Sequence, residues 1–285
     1  MPNVFEPDTL AAAAEILASS SSLTIERPGG AAVLSTRKLD RLLEHEPGDL
    51  TAIVEAGMRL STLQEHLAPF GQMFALDPPG DPTLGACLAG DLSGPRSHRY
   101  GAMRDLVIGV TVVLADGTIA SAGGKVVKNV AGYDLGKLFS GSRGRLGLIG
   151  RLALRLHARP EATATVVLES PDPRRAWREL QHSGLSPVAI DLLPPERLAL
   201  LFEGSEAGVA AQLGACPGRP AGSELWQEVA SRQRDATGRV GFAWQDCLLA
   251  RPGRGVAYVA APPDRTWSPL AERVRASFDP KGTLR

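Results

Sequence analysis

Apolar residues in the first part of the chain repeat with two spacings, one typical of helices and one typical of strands. The helical spacing predicts one helix that begins after Asp8 as its N-cap, and a second helix that carries Leu63, Leu67 and Phe70. The strand spacing predicts strands over residues 51–55, 106–114, 118–122 and 147–156. The dipeptide Asp116-Gly117 stands between two of these strands and is typical of a hairpin turn.

The character of the chain changes at Pro160, because the glycine-rich composition ends there. Beyond it, the apolar pattern predicts strands over residues 164–168, 188–192, 198–202, 242–249 and 256–260. Helices are predicted from Asp172 to near Gly184 and over residues 209–213, 224–232 and 268–278. Helices and strands mixed in this way are typical of an α+β domain with an antiparallel sheet. We therefore expect an α+β protein of two domains, residues 1–158 and a smaller domain at 159–285.

Glycines recur at irregular intervals between residues 77 and 149. Frequent glycine outside simple turns indicates backbone that closely approaches a flat or anionic group, and a large buried cofactor fits this pattern. The small apolar run from Thr83 to Gly90 could lie against a ring system, and a tightly packed helix start explains the same run. Gly29 and Gly30 follow a short strand, where successive N–H groups can face a phosphate, although a plain turn is the simpler interpretation.

Charge and composition narrow the classes of partner. The 285 residues include 31 basic and 31 acidic ones, a balance that argues against nucleic acid and against an anionic membrane surface as partners. The sequence lacks the apolar run of about 20 residues that a membrane-spanning helix needs, so we expect a cytoplasmic protein with no direct membrane span. The cysteines Cys87, Cys216 and Cys247 are scattered, which argues against disulfides, an iron–sulfur cluster and zinc, so no metal is expected.

Several segments form a specific set when they are taken together. They are Leu34-Ser35-Thr36-Arg37, His45-Glu46-Pro47-Gly48-Asp49-Leu50-Thr51, Val54-Glu55-Ala56-Gly57, Asp77-Pro78-Pro79, Thr83-Leu84-Gly85, Ser93-Gly94-Pro95-Arg96, Arg99-Tyr100-Gly101, Lys128 to Asp134 and Gly141 to Ile149. As a set they resemble the FAD-binding oxidoreductases of the vanillyl-alcohol oxidase type, and most of all the family of E subunits of three-subunit glycolate oxidases. The resemblance covers most of residues 5–157, and Ser277 to Gly282 resembles that family's C-terminal signature.

The resemblance implies that FAD lies between two α/β subdomains and that the smaller C-terminal domain covers the flavin. It implies that the pyrophosphate and the isoalloxazine are lined by Thr83, Leu84, Gly85, Ala86, Ser93 and Gly94. Gly29 and Gly30 would lie at the pyrophosphate, and Pro78 and Pro79 would also bind the cofactor. It implies that the ribityl side is braced by Arg99, Tyr100, Gly101 and Asp105. The adenine half would be closed over by Gly147, Leu148 and Ile149.

The function implied by the resemblance is that of an FAD-binding subunit of a glycolate-type 2-hydroxy-acid oxidoreductase. A hydride would pass from the small-molecule substrate to the flavin, and the electrons would pass on to a partner. The expected partners are a catalytic flavoprotein subunit and an iron–sulfur subunit, and any attachment to the inner membrane would occur through them. The second domain shows no evident constellation of His, Tyr and Arg, which favours oxidation of the hydroxy acid by another subunit.

One departure from the family favours an alternative. The family has a longer glycine-rich loop where this chain passes from Gly29-Gly30 through Ala31-Ala32 directly to Val33. Each missing hydrogen bond to a charged phosphate could cost about 1–3 kcal/mol, and two or three such losses would make FAD binding weak. The alternative is a non-catalytic scaffold subunit with weak or no FAD binding. A stand-alone FAD oxidase is a third hypothesis, but it needs a substrate-facing base that the sequence does not show.

The sequence assigns no residue a catalytic role. Tyr133 and Asp134 could face the flavin and handle a proton, whereas a Tyr at a helix start with Asp as the cap is the commoner situation. His98 stands between Arg96 and Arg99 and could bind a carboxylate, and a solvated loop histidine explains it equally well.

Overall fold

The computed structural model describes residues 3–26, 32–124, 134–242, 244, 246–262 and 268–284, which form two units. The first unit begins with β1 (Asn3–Phe5), α1 (Leu10–Ser19), β2 (Thr24–Ile25) and β3 (Ala32–Leu34), whose strands form a parallel sheet in the order β1-β3-β2. Helix α1 begins after Thr9, because the Thr9 hydroxyl accepts a hydrogen bond from the Ala12 N–H at 3.2 Å. The N-cap predicted at Asp8 is therefore wrong by one residue.

An antiparallel sheet of five strands forms the centre of the first unit. The remaining strands of the unit are β4 (Leu42–Glu46), β5 (Thr51–Glu55), β6 (Gln72–Met73), β7 (Val107–Val113), β8 (Ile119–Gly123), β9 (Leu148–Arg155) and β10 (His157–Ala158). The central sheet has the order β4-β5-β9-β7-β8, and β6 pairs with β10. The helices are α2 (Leu60–Leu67), α3 (Leu84–Gly90), α4 (Ser97–Tyr100), α5 (Met103–Leu106) and α6 (Leu135–Phe139). Helices α2, α3 and α5 bury Leu63, Leu88 and Leu106 completely against the sheet residues Val54 and Leu152.

The second unit is an antiparallel sheet with helices packed on it. Its strands are β11 (Ala162–Glu169), β12 (Ala189–Leu193), β13 (Arg197–Gly204), β14 (Arg219–Ala221), β15 (Gly238–Gly241), β16 (Leu249–Arg251) and β17 (Val256–Val259), in the order β14-β11-β13-β12-β16-β17-β15. The helices of this part are α7 (Pro173–His182), α8 (Glu206–Ala215) and α9 (Glu224–Asp235). Leu180 of α7 and Val209 of α8 pack in one cluster with Leu200, while Val229 of α9 packs in another with Leu249.

The last described part of the chain returns to the first unit. Helix α10 (Pro269–Phe278) places the Phe278 ring edge-on to that of Phe139, with 5.9 Å between the ring centroids. Beyond it, Leu284 is fully buried and forms a parallel bridge with Leu23. The first unit is therefore completed by residues that follow the second unit in sequence, and the predicted domain boundary near residue 158 stays a prediction.

The structure confirms the predicted α+β class, the antiparallel sheet of the second part and the hairpin formed by β7 and β8. The strand predicted over residues 242–249 is wrong over most of its length, because β15 ends at Gly241 and β16 begins at Leu249. The rings of Phe242 and Trp244 pack edge-on with 4.7 Å between their centroids, and the spacing of these two apolar residues resembles the alternation of a strand. Asp246 has a left-handed φ of 60°, which is outside the strand region. Among the described residues, no helix is long and apolar enough to span a membrane.

A buried arginine of the second unit links the two units. The Arg251 side chain is 1% exposed and donates to Asp191 at 3.1 Å and to the Tyr258 hydroxyl at 2.7 Å. It also donates to the backbone carbonyl of Ser93 in the first unit at 3.3 Å, and Gln233 donates to the same carbonyl at 2.8 Å. A buried charge is tolerated when it is paired and hydrogen-bonded, as Arg251 is.

Replacement of Arg251 by Met should lower the free energy of unfolding by about 3–5 kcal/mol, because Asp191 would stay buried without its cation. Urea unfolding followed by circular dichroism measures this loss. The double variant Arg251→Met/Asp191→Leu should recover much of it, since no buried charge of the pair remains.

Arg175→Met is the matched control, because it removes an exposed arginine that is paired with Glu179 one helical turn away. Its expected effect is below about 0.5 kcal/mol. A loss in Arg251→Met no larger than that of the control would contradict the role given to the buried arginine.

Candidate functional site

A cleft of about 210 Å³, here called the central cleft, is lined mainly by small and apolar residues. Helix α3 contributes Gly85, Ala86, Ala89 and Gly90, the segment after α6 contributes Arg143, Gly144, Gly147, Leu148 and Ile149, and Ile25, Glu26 and Thr36 complete the lining. Such a lining leaves backbone and small side chains accessible to a flat ligand.

Helix α3 is held in place by its cap and by a close backbone contact. The Thr83 hydroxyl accepts a hydrogen bond from the Ala86 N–H at 3.3 Å, and the Gly85 N–H donates to the Ala56 carbonyl at 2.7 Å. A Cβ at Gly85 would lie only 2.9 Å from the Ala56 Cβ, so the helix can approach this closely because residue 85 is glycine. The run from Thr83 to Gly90 is therefore a packed helix start that also lines the central cleft.

Two other glycines of this region are required by the protein's own backbone. A Cβ at Gly94 would lie 1.8 Å from the Asp77 carbonyl oxygen. Gly147 has a φ of 150°, and a Cβ there would lie 2.6 Å from the Val113 carbonyl oxygen. Close packing of the chain on itself thus explains these glycines without a ligand.

Glu26 follows β2 with a left-handed φ of 55°, and it lines the central cleft. Its Oε1 accepts hydrogen bonds from the Thr36 N–H, from the Thr36 hydroxyl at 2.8 Å and from the Ser35 hydroxyl at 3.2 Å. Three donors on one oxygen hold the carboxylate beside the cleft.

Two further clefts adjoin the central one. The first, of about 390 Å³ and here called the outer cleft, shares Glu26 and Ala86 with it and also includes Thr83. The second, of about 310 Å³ and here called the arginine cleft, shares Gly90 and Arg143 with it. The other lining residues of the arginine cleft include Pro78, Pro79, Ser93, Arg234 and Arg239. Because neighbouring clefts share residues, the three are adjacent, and together they are here called the groove.

The groove brings together most of the residues predicted to bind the cofactor. These are Pro78, Pro79, Thr83, Gly85, Ala86, Ser93, Gly147, Leu148 and Ile149. Leu84 is completely buried in the core of the first unit, and Gly94 lies against Asp77. Gly29 and Gly30 lie outside the described residues. The role of each residue toward the cofactor stays a prediction.

The residues predicted to brace the ribityl side are not among those that line the three clefts, and Asp105 among them contacts the second unit. The Tyr100 ring packs edge-on to His157, with 4.7 Å between ring centroids. Asp105 accepts a hydrogen bond from the Ala102 N–H at 2.9 Å and pairs with Arg254 at 3.4 Å. Gly101 has a φ of 91°, and a Cβ there would lie 2.6 Å from the Asp105 Cβ. Arg99 is exposed.

Asp134 and His98, two of the candidates for catalysis, make contacts that stabilise the fold. Asp134 caps α6 by accepting the Lys137 N–H at 3.0 Å, as in the commoner situation, and Tyr133 lies outside the described residues. His98 packs edge-on to Trp177 in the second unit, with 6.1 Å between ring centroids. Burial and the nearby Arg254 lower the pKa of His98, so it is a neutral interface residue near pH 7.

A larger cleft of about 630 Å³ lies between the two units and is here called the interdomain cleft. Asp77 and Arg96 line it from the first unit, and Trp226 lines it from the second. The Arg96 guanidinium donates to Glu203 at 3.0 Å, and the Arg96 N–H donates to Asp77 at 3.1 Å. Burial raises the pKa of Asp77 to about 6 against the opposing effect of Arg96 and Arg251.

Sequence reasoning did not single out Glu26, Arg143 or the Arg96–Glu203 pair. Arg96 and Glu203 are 107 positions apart and on different units, so no local pattern joins them. Arg143 carried one weak signal, its place among the glycines of Gly141-Ser142-Arg143-Gly144.

The groove fits an elongated ligand such as FAD. Its small apolar lining suits flat rings, and Arg143 supplies a cation where the central cleft meets the arginine cleft. A dinucleotide with two ring systems joined by a diphosphate needs such a succession of apolar and cationic surface.

Comparison with known proteins agrees with this fit. The family model described as FAD binding domain matches residues 14–123. Glycolate oxidase subunit GlcE of Escherichia coli is 30% identical over 238 residues, which are 82% of this chain and 68% of that subunit. The mitochondrial D-lactate dehydrogenase [cytochrome] 1 of Saccharomyces cerevisiae is 33% identical over 59% of this chain. The chain spans only 29% of the length of that dehydrogenase.

The fold is shared with a solved structure. Alkyldihydroxyacetonephosphate synthase superposes with a TM-score of 0.62 at 19% sequence identity. The superposition covers 80% of this chain and 54% of the synthase. The two proteins therefore have a common architecture.

The pKa of Asp77 predicts how stability depends on pH. The folded protein keeps this carboxyl protonated up to about pH 6, whereas the unfolded chain loses the proton near its usual pKa of 3.8. The stability that Asp77 contributes is therefore fully present below about pH 4 and is lost as the pH rises through about 6. The free energy of unfolding of the wild type minus that of Asp77→Asn should fall by up to about 3 kcal/mol between pH 4 and pH 7.

Urea unfolding of both proteins at several pH values measures this difference. The subtraction removes the contributions of other titrating groups. A difference that rises with pH would show that Asp77 is ionised in the folded state at low pH, contrary to the expectation.

Proposed function

The chain belongs to the family of FAD-binding oxidoreductases, and from this we propose that it is an FAD-binding subunit of a glycolate-type 2-hydroxy-acid oxidoreductase. FAD is the cofactor of the family. The oxidised substrate of the complex would be a small 2-hydroxy acid, and the electrons would pass through this chain's flavin to a partner.

The extent of the similarity to GlcE is the observation that supports this proposal most. The aligned 238 residues are more than the first 158 positions can supply, so they include a large part of the second unit. The match to the yeast D-lactate dehydrogenase covers 172 residues. The second unit therefore favours a glycolate-oxidase-type subunit over a complete dehydrogenase.

The groove residues would bind the flat parts of FAD by contact. Ala86 and Ala89 of α3 would lie against them on one side, and Gly144 and Gly147 on another. Bound FAD supplies reversible acceptance of two electrons. Gln233 and Arg251 would keep the groove wall in shape through the Ser93 carbonyl.

Charge pairing in the interdomain cleft favours substrate oxidation in a partner subunit. Among the described residues that line this cleft, Arg96 is the cation, and it already pairs with Glu203 and Asp77. A substrate carboxylate would have to compete with both. The proposed partners are accordingly a catalytic flavoprotein subunit and an iron–sulfur subunit, in a cytoplasmic complex that reaches the inner membrane only through them.

The visible spectrum of the purified chain tests the cofactor. We expect the absorbance of oxidised flavin at nearly one FAD per chain, directly or after incubation with FAD. Ala86→Leu should weaken FAD binding at least about tenfold, or about 1.4 kcal/mol, because the larger side chain would enter both the central and the outer cleft.

The matched control is Ala210→Leu, which places the same side chain on an exposed helical position of α8. It should bind FAD as the wild type does, and circular dichroism should show both variants folded. A folded wild type that takes up no FAD, or an Ala86→Leu variant with unchanged affinity, would contradict the placement of the cofactor in the groove.

A non-catalytic scaffold subunit is the second candidate, and the short segment between Gly30 and Val33 favours it. Under this alternative the wild type and Ala86→Leu both lack FAD and both assemble with the partner subunits. Co-expression with those subunits, affinity capture of this chain and measurement of flavin per chain decide between the two. If the Ala86→Leu complex assembles but contains less flavin than the wild-type complex, the scaffold alternative is excluded.

A further inference from the structure

Arg143 lies where two clefts of the groove meet. It lines the central cleft together with Gly85 and Gly147, and it also lines the arginine cleft together with Ser93. Its side chain is exposed and has no ion pair or hydrogen bond among the described residues. All of its five N–H donors are therefore available to a ligand in the groove.

The backbone at Arg143 is in a conformation that arginine does not favour. Its φ is 53°, in the left-handed region, and its N–H donates to the Ala89 carbonyl of α3 at 2.9 Å. The neighbouring Gly141 and Gly144 have φ values of 77° and 76°, and there the residue is glycine. A non-glycine residue in this region is strained, and strained residues cluster at binding sites.

The central cleft contains one acidic and one basic side chain among the described residues that line it, and only the acidic one is already hydrogen-bonded. Among the described residues that line it, Glu26 is the acid and Arg143 is the base. Glu26 is already held by the Thr36 N–H and by the hydroxyls of Ser35 and Thr36. A diphosphate brought into this apolar cleft needs a positive partner, and an unpaired guanidinium can bind a phosphate through two parallel hydrogen bonds.

We propose that Arg143 holds the diphosphate of FAD and replaces hydrogen-bond donors that a longer loop before Val33 would supply. This rests on the proposed function, because it names the residue that recognises the charged part of the proposed cofactor. It explains how a chain with a short glycine loop could still bind the dinucleotide. It also explains why residue 143 is not glycine although its φ favours glycine.

Binding of FAD and of riboflavin, followed by quenching of flavin fluorescence, tests the proposal in the full chain. Riboflavin carries the ring system without the diphosphate. Arg143→Gln should weaken FAD binding about tenfold or more, as expected for the loss of a charge-assisted contact, and should change riboflavin binding less than about twofold. Added salt should weaken FAD binding more in the wild type than in Arg143→Gln, because salt screens a charge contact.

Two variants separate recognition from folding. Arg143→Gly relieves the left-handed strain, so its urea midpoint should be equal to or above that of the wild type while its FAD affinity falls as in Arg143→Gln. Arg145→Gln is the matched control, because it removes the same charge two positions away at a residue that lines none of the four clefts among the described residues. It should bind FAD like the wild type.

The outcomes separate this inference from the proposed function. If Arg143→Gln and Arg143→Gly bind FAD as tightly as the wild type does, the role of Arg143 is overturned. The proposed function as an FAD-binding subunit is unaffected by that result. An equal loss of FAD and riboflavin binding also overturns it, because the effect would not depend on the diphosphate. A folded wild type that binds neither FAD nor riboflavin overturns both.

Discussion

The backbone carbonyl of Ser93 is one of the points at which the second unit holds the first, and it is the one that receives a buried charge. Gln233 and the buried Arg251 both donate to it, and Arg251 is itself neutralised by Asp191. The buried pair of Arg251 and Asp191 thus joins the interior of the seven-stranded sheet to the segment that follows α3. The groove and the interdomain cleft both border this segment, so their shapes depend on the same buried charge.

The glycines between residues 77 and 149 have more than one cause. At Gly94 and Gly147 the neighbouring atoms are carbonyl oxygens of the chain itself, and at Gly85 the neighbour is Ala56. Gly85, Gly144 and Gly147 also line the central cleft. A glycine-rich composition therefore indicates close approach of backbone, and only the structure distinguishes approach to the chain from approach to a ligand.

Local periodicity was sufficient to predict the α+β class, the hairpin of β7 and β8 and the antiparallel sheet of the second unit. It failed where side-chain packing imitates alternation, as with Phe242 and Trp244. The Arg96–Glu203 pair could not be predicted, because its partners come from elements that only the tertiary fold brings together. Of the groove, the small residues were predictable from the resemblance, whereas Glu26 and Arg143 became visible through their backbone conformation and their neighbours.

The return of the chain end to the first unit has a consequence for biosynthesis. Val274, Phe278 and Leu284 complete cores whose other members are synthesised before residue 160. A ribosome releases these three residues only after the whole second unit has emerged. During translation of the second unit, part of the apolar core of the first unit therefore stays exposed to solvent. The nascent chain can bind chaperones through this exposed surface in that interval.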